Sequence, residues 1–184
     1  MVFSSLDVLT QRIQERCFFK YGKKGMSLNH HKTYVITHIA LALFIFLCFK
    51  GGIDNFFAGD DFDWLFDAIK TMQRPSTLIT TLQGHFIRPV TTLFFLVNLL
   101  IAGSNPVGQH LTTILLHVLN VILLSYVLGR LCKNRLTGLL GALFWGVNYK
   151  HTEAVFLTYG VSDAFVLVFW LGTLSFFLSQ RKIL

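Results

Sequence analysis

Asn55-Phe56-Phe57-Ala58-Gly59-Asp60-Asp61-Phe62-Asp63-Trp64 sets three carboxylates among aromatic rings directly after the first long apolar run of the chain. Adjacent carboxylates repel each other and lose hydration if buried unpaired, so this stretch does not read as core. It is solvated, bound to a cation, or kept for chemistry. The rest of the chain then reads as membrane scaffold around it: 53% of the 184 residues are hydrophobic, too many for an ordinary soluble domain.

The net charge of +7 does not point to nucleic acid, because the basic residues fall in short clusters beside apolar runs, as juxtamembrane anchors do. Membrane lipids are the expected partners of these clusters. Cys17, Cys48 and Cys132 are odd in number and widely spaced, which indicates neither a disulfide framework nor a zinc motif. No small-residue cleavage site follows the first apolar run closely, so that run reads as an uncleaved signal-anchor.

Upstream of the acidic stretch, Phe3, Leu6, Leu9, Ile13 and Cys17 recur at helical spacing, and Lys20, Lys23 and Lys24 follow. Residues 1–32 are therefore expected to form a cytoplasmic amphipathic helix, lying on an anionic leaflet or against a partner. His30-His31 lacks carboxylate or cysteine partners and reads as a polar flank. The first span is expected near 33–50, and the lysines before it place the N-terminus in the cytoplasm, with the acidic stretch outside.

Downstream, residues 51–108 form a first outer loop holding Asp54, Asp60, Asp61, Asp63 and Asp67, five of the nine acidic residues. Phe62, Leu65, Phe66 and Ile69 predict an interfacial helix from Asp60 to Met72, with Asp60 or Asp61 at its N-terminus. Pro89 to Ala102 is apolar, but fourteen helical residues cover only about 21 Å of a roughly 30 Å hydrocarbon core. It reads as a re-entrant or interfacial helix. Further spans are expected near 109–129, 136–149 and 164–179, with a second outer loop at 150–163. His110, His117 and Asn120 should face protein rather than lipid. Four spans with both termini inside put every juxtamembrane basic cluster on one side of the membrane. The spans hold no charged residue deep in the membrane, which argues against a channel or transporter.

This topology brings Asp60, Asp61, Arg88, His151, Glu153 and Asp163 to the outer face. Glycosyl transfer from a lipid-phosphate donor needs a base for the acceptor hydroxyl and cationic groups, or a metal, for the departing phosphate. Asp60 or Asp61 is the candidate catalytic base. Arg88 and His151 are candidate phosphate partners, and Glu153 or Asp163 an orienting carboxylate or metal ligand. Oxygen-rich sites of this kind suit Mg²⁺ or Mn²⁺ if a divalent cation is used.

Asn55-Phe56-Phe57-Ala58-Gly59-Asp60-Asp61 is similar to the first-loop acidic motif of GT-C membrane glycosyltransferases. Arg88-Pro89-Val90, Gly103-Ser104-Asn105-Pro106-Val107-Gly108-Gln109-His110, His117-Val118-Leu119-Asn120 and His151-Thr152-Glu153-Ala154-Val155 with Ser162-Asp163 resemble, in order, the blocks of O-mannosyltransferase-like proteins that carry tetratricopeptide repeats. The resemblance implies a polyprenyl- or dolichyl-phosphate sugar donor, an extracytoplasmic active site, and Asp60 or Asp61 as the base. One departure is Asn148-Tyr149-Lys150, where those proteins read His-Pro before the His-Thr-Glu block.

Members of that group continue for several further spans. The chain is thus expected to be an all-α, polytopic membrane helix bundle of about four spans plus juxtamembrane helices, the N-terminal portion of a GT-C-like module over 33–184. Two functions follow. One is a glycosyltransferase module completed by a protein partner that supplies further membrane helices. The other is a non-catalytic, GT-C-derived subunit with an assembly role in a larger membrane complex.

Overall fold

The computed structural model describes residues 28–80 and 87–180. The expected amphipathic segment before residue 28, with Cys17, Lys20, Lys23 and Lys24, lies outside them, as do Arg181 and Lys182. The protein divides into two units, Met1–Ile39 and Ala40–Leu184. In the first, the described residues are the opening turns of α1 (Leu28–Phe49). There, the His38 ring packs at a tilt against Tyr34, centroids 4.1 Å apart, and its Nδ1 lies 2.8 Å from the Tyr34 carbonyl.

The second unit continues α1 from Ala40, through a 3₁₀ turn at Lys50–Gly52, to α2 (Asp61–Gln73), α3 (Thr77–Thr80) and α4 (Pro89–Ala102). Then come α5 (Pro106–Leu131), α6 (Arg135–Gly146), α7 (His151–Phe156), a 3₁₀ turn at Thr158–Gly160, and α8 (Val161–Gln180). No strand occurs among the described residues, and the architecture is an all-α membrane helix bundle. Local chemistry sets the helix starts. Pro106 opens α5 behind Asn105, whose side chain accepts from the Val107 N–H at 3.0 Å. Asn134 caps α6 in the same way through the Leu136 N–H.

Three segments are long and apolar enough to cross a bilayer: Lys32–Gly52, Pro106–Leu131 and Thr158–Gln180. The stretch expected to span near 136–149 differs. Its helix stops at Gly146, and α6 is 12 residues, about 18 Å. After Gly146 the chain turns, with Asn148 Oδ1 accepting from the Lys150 N–H, and the return along α5 is taken up by α7. The packing traces this path. A Cβ on Gly138 would lie 2.5 Å from the backbone of Gly129 and Ser125, and one on Gly146 2.8 Å from Val121. His117 Nε2 then lies 3.0 Å from the Gly146 carbonyl, and the His151 ring 5.3 Å from that of His117. The broken limb thus runs from the C-terminal part of α5 back toward its N-terminal end.

Two buried clusters hold the unit together. Ile45 and Phe49 of α1 pack with Ile114, Val118 and Val121 of α5, Ala142 of α6 and Val155 of α7. Trp64 and Ala68 of α2 pack with Phe95 of α4 and Val161 of α8, the Trp64 and Phe95 rings stacked at 6.2 Å. Polar residues of α4 and α5 turn inward, as a lipid-facing exterior favours. His110, His117 and Asn120 are buried. Asn120 donates to the Ala164 carbonyl at 3.0 Å, and Asn98, which interrupts the short apolar helix α4, accepts from Thr112 at 3.0 Å.

Candidate functional site

The acidic stretch and the segment after α7 meet at the N-terminal end of α5. Residues 55–60 are irregular, and Gly59 takes φ +54°, a left-handed conformation that turns the chain into α2. Asp61 is the first residue of α2 and is fully buried. Its two oxygens have separate partners. Oδ2 accepts from the Ala58 N–H at 3.1 Å, across the turn, and Oδ1 accepts from the Tyr159 N–H at 2.6 Å, 98 residues away. A carboxylate that receives two backbone N–H groups is compensated for burial, which answers the repulsion argument for one member of the pair.

Asp60 has the opposite environment. It is exposed, occupies the N-cap position of α2, and makes no side-chain cap hydrogen bond. The pair is therefore divided: Asp61 fastens two segments together, and Asp60 presents a carboxylate to solvent beside that fastening. The Tyr159 hydroxyl donates to Glu153 Oε1 at 3.3 Å, and this phenol lies within electrostatic reach of Asp60 and Asp61 as well. Asp60, Asp61 and Glu153 thus gather around Tyr159, a residue that spacing did not single out. Its one signal in the sequence is its position between the two blocks that carry Glu153 and Asp163.

The other expected site residues divide further. Arg88, exposed just before α4, places its guanidinium carbon 5.9 Å from the centroid of the Trp64 ring, one turn into the helix that Asp61 begins. His151 packs against Trp145 at 4.1 Å and against His117. Burial pushes its imidazole below the usual histidine range, with the Trp145 carbonyl opposing that shift. Asp163, exposed in the first turn of α8, has no recorded contact with the cluster around Tyr159. Asp67, counted with the outer acidic residues, is bound to Lys70 at 3.4 Å. Among the described residues no group of three His, Cys, Asp or Glu side chains is close enough to hold a metal ion. The chemistry available at the cluster is that of an exposed carboxylate, a phenol and a second carboxylate, with a guanidinium on the neighbouring helix.

No family model matches the chain, and no solved structure does. Curated sequences do. The chain is 35% identical over 97 residues to the protein O-mannosyl-transferase TMTC1 of Mus musculus, and 36% identical over 91 residues to that of Homo sapiens. It is 34% identical over 76 residues to Tmtc1 of Drosophila melanogaster. These alignments cover 52%, 48% and 41% of this chain, and 10%, 10% and 9% of the relatives. The chain therefore spans about a tenth of the length of the relatives it matches. Over about half of its own residues, the chain is similar to proteins named protein O-mannosyl-transferases, the TMTC1 proteins.

Proposed function

We propose that the chain is part of a GT-C-like membrane glycosyltransferase and carries the acidic end of its site. The reaction is transfer of a sugar from a polyprenyl- or dolichyl-phosphate donor to a hydroxyl acceptor on the extracytoplasmic face. The observation that carries this reading is the junction of the first and second loop segments through Asp61 and Tyr159, which leaves Asp60 exposed beside Glu153. Of the two aspartates, Asp60 is the base. It is free to meet an acceptor, whereas both oxygens of Asp61 are taken by backbone N–H groups. Deprotonation of the acceptor by Asp60 proceeds as the acceptor oxygen bonds to the anomeric carbon and the lipid phosphate departs with the bonding electrons.

Arg88 is the guanidinium placed to meet that phosphate. Glu153 positions the Tyr159 phenol, and through it the carboxylate pair. Further membrane helices that enclose the lipid donor come from a partner or from additional chain. Isolation from native membranes in mild detergent, followed by addition of a radiolabelled polyprenyl-phosphate sugar, tests the reading. Label should pass to a hydroxyl acceptor. A stoichiometric complex that transfers no label under these conditions overturns the reading in favour of an assembly subunit.

A further inference from the structure

We propose that the first turn of α5, with the 3₁₀ turn before α8, forms an occluded polar site for the hydroxyl groups of an uncharged polyhydroxylated ligand, a pyranose ring. The proposal rests on the sugar-transfer reading and assigns the donor's sugar, as distinct from its phosphate, to this site. Gln109, His110 and Thr158 are each 0% exposed. Both polar atoms of the Gln109 amide, both ring nitrogens of His110 and the Thr158 hydroxyl find no hydrogen-bond partner among the described residues. Native proteins leave few buried polar groups unsatisfied, so four such atoms in the first turn of α5, with a fifth in the 3₁₀ turn that packs on α5, mark groups that are completed by something else.

Asp61 connects two of the three, and Gln109 adjoins His110 in the helix. Thr158 precedes Tyr159, whose N–H binds Asp61, and His110 is within electrostatic reach of the same carboxylate. The Asn55 backbone lies near the His110 ring without hydrogen-bond geometry.

The donor set selects the ligand. An amide, an imidazole and a hydroxyl each offer donor and acceptor capacity, which matches sugar hydroxyls. No cation is recorded among these groups, and the guanidinium of Arg88 lies over Trp64. Asp61, Asp60 and Glu153 make the neighbourhood acidic, which disfavours phosphate here. Phe57 supplies an apolar face. Its ring stacks on His110 at 6.4 Å and 29°, and it is 6% exposed while its neighbour Phe56 is 70% exposed. Entry therefore requires the Asn55–Gly59 turn to lift away from His110.

The test uses the full chain in lipid nanodiscs, with methyl α-D-mannopyranoside as the probe because the relatives are named for mannosyl transfer, and inorganic phosphate as the comparison. Thermal unfolding is followed in the wild type and in Gln109→Leu and Thr158→Val. Wild type should be stabilised saturably by the mannoside and not by phosphate. Both variants should unfold at the wild-type temperature or above it, since each removes an orphaned group, yet bind the mannoside about tenfold more weakly or worse. The proposal fails if the wild type shows no saturable shift, if phosphate stabilises equally, or if the variants respond as the wild type does. It also fails if both variants unfold earlier, because the polar atoms then serve the fold. Mannoside binding lost in the variants, without any sugar transfer by the complex, refutes the transfer reading alone. Transfer that both variants sustain at wild-type efficiency refutes this site alone.

Discussion

Asp60 and Asp61 are neighbours in sequence and unlike in environment, and the difference is measurable. In Asp61→Asn one acceptor oxygen becomes an NH₂ facing a backbone N–H, of Ala58 or of Tyr159, so a donor meets a donor in a buried place. The expected loss is about 1–3 kcal/mol, seen as a lower unfolding temperature. Asp60→Asn changes an exposed side chain with no recorded hydrogen bond among the described residues and should move stability by less than about 0.5 kcal/mol. Equal unfolding temperatures for the two variants would contradict the assignment.

His151 adds a pH dependence. Its folded value is depressed by burial, so the unfolded chain binds more protons below the usual histidine value, and the stability held by the neutral ring is present above that value and lost as pH falls through it. Unfolding temperature should thus decline from pH 7 toward pH 5, and His151→Gln should shrink that decline. An unchanged slope in the variant would show that the ring is not the source. The acidic pair was legible in the sequence as an anomaly, because two adjacent carboxylates among aromatics have no packing explanation. Which of them is buried was not, since that depends on the Tyr159 N–H arriving from 98 residues away.

Among the elements, α5 carries the arrangement, because the broken limb of α6 and α7 follows it back and α8 runs beside it. Gly138 is where that limb touches most closely. Gly138→Val should destabilise the protein by about 1–3 kcal/mol, since its side chain would meet the backbone of Gly129 and Ser125. Gly172 in α8 has open space around its missing Cβ, and Gly172→Ala should be tolerated. Unfolding in detergent distinguishes the two, and equal tolerance would mean that α5 and α6 are not closely packed. The end of α6 was not legible in the sequence. Apolar composition runs past Gly146 to Tyr149, and hydropathy has no means of registering the turn in which Asn148 accepts from the Lys150 N–H. The short apolar helix from Pro89 to Ala102 matched its expected bounds, because Pro89 at its start and Gly103 at φ +64° after it are strong local signals.

At the scale of the whole molecule, an all-α bundle was readable from apolar runs alone, while the joining of residues 55–61 to 153–159 required the path of the chain along α5. That joining predicts sidedness. In a chain whose cysteines are replaced by serine, Asp60→Cys and Glu153→Cys should react with an impermeant maleimide from one side of sealed vesicles, and Asn134→Cys, at the far end of α5, from the other. Labelling of positions 60 and 153 from opposite sides would separate the two loop segments. The central claim, that this junction presents Asp60 as the base of sugar transfer, is tested most directly by transfer rates from a polyprenyl-phosphate sugar in the complex isolated from native membranes. Asp60→Asn is compared there with Asp54→Asn, an exposed aspartate of the same segment with no recorded contact. The account predicts that Asp60→Asn slows transfer by about 10²-fold or more while Asp54→Asn retains the wild-type rate; full activity in Asp60→Asn would contradict it.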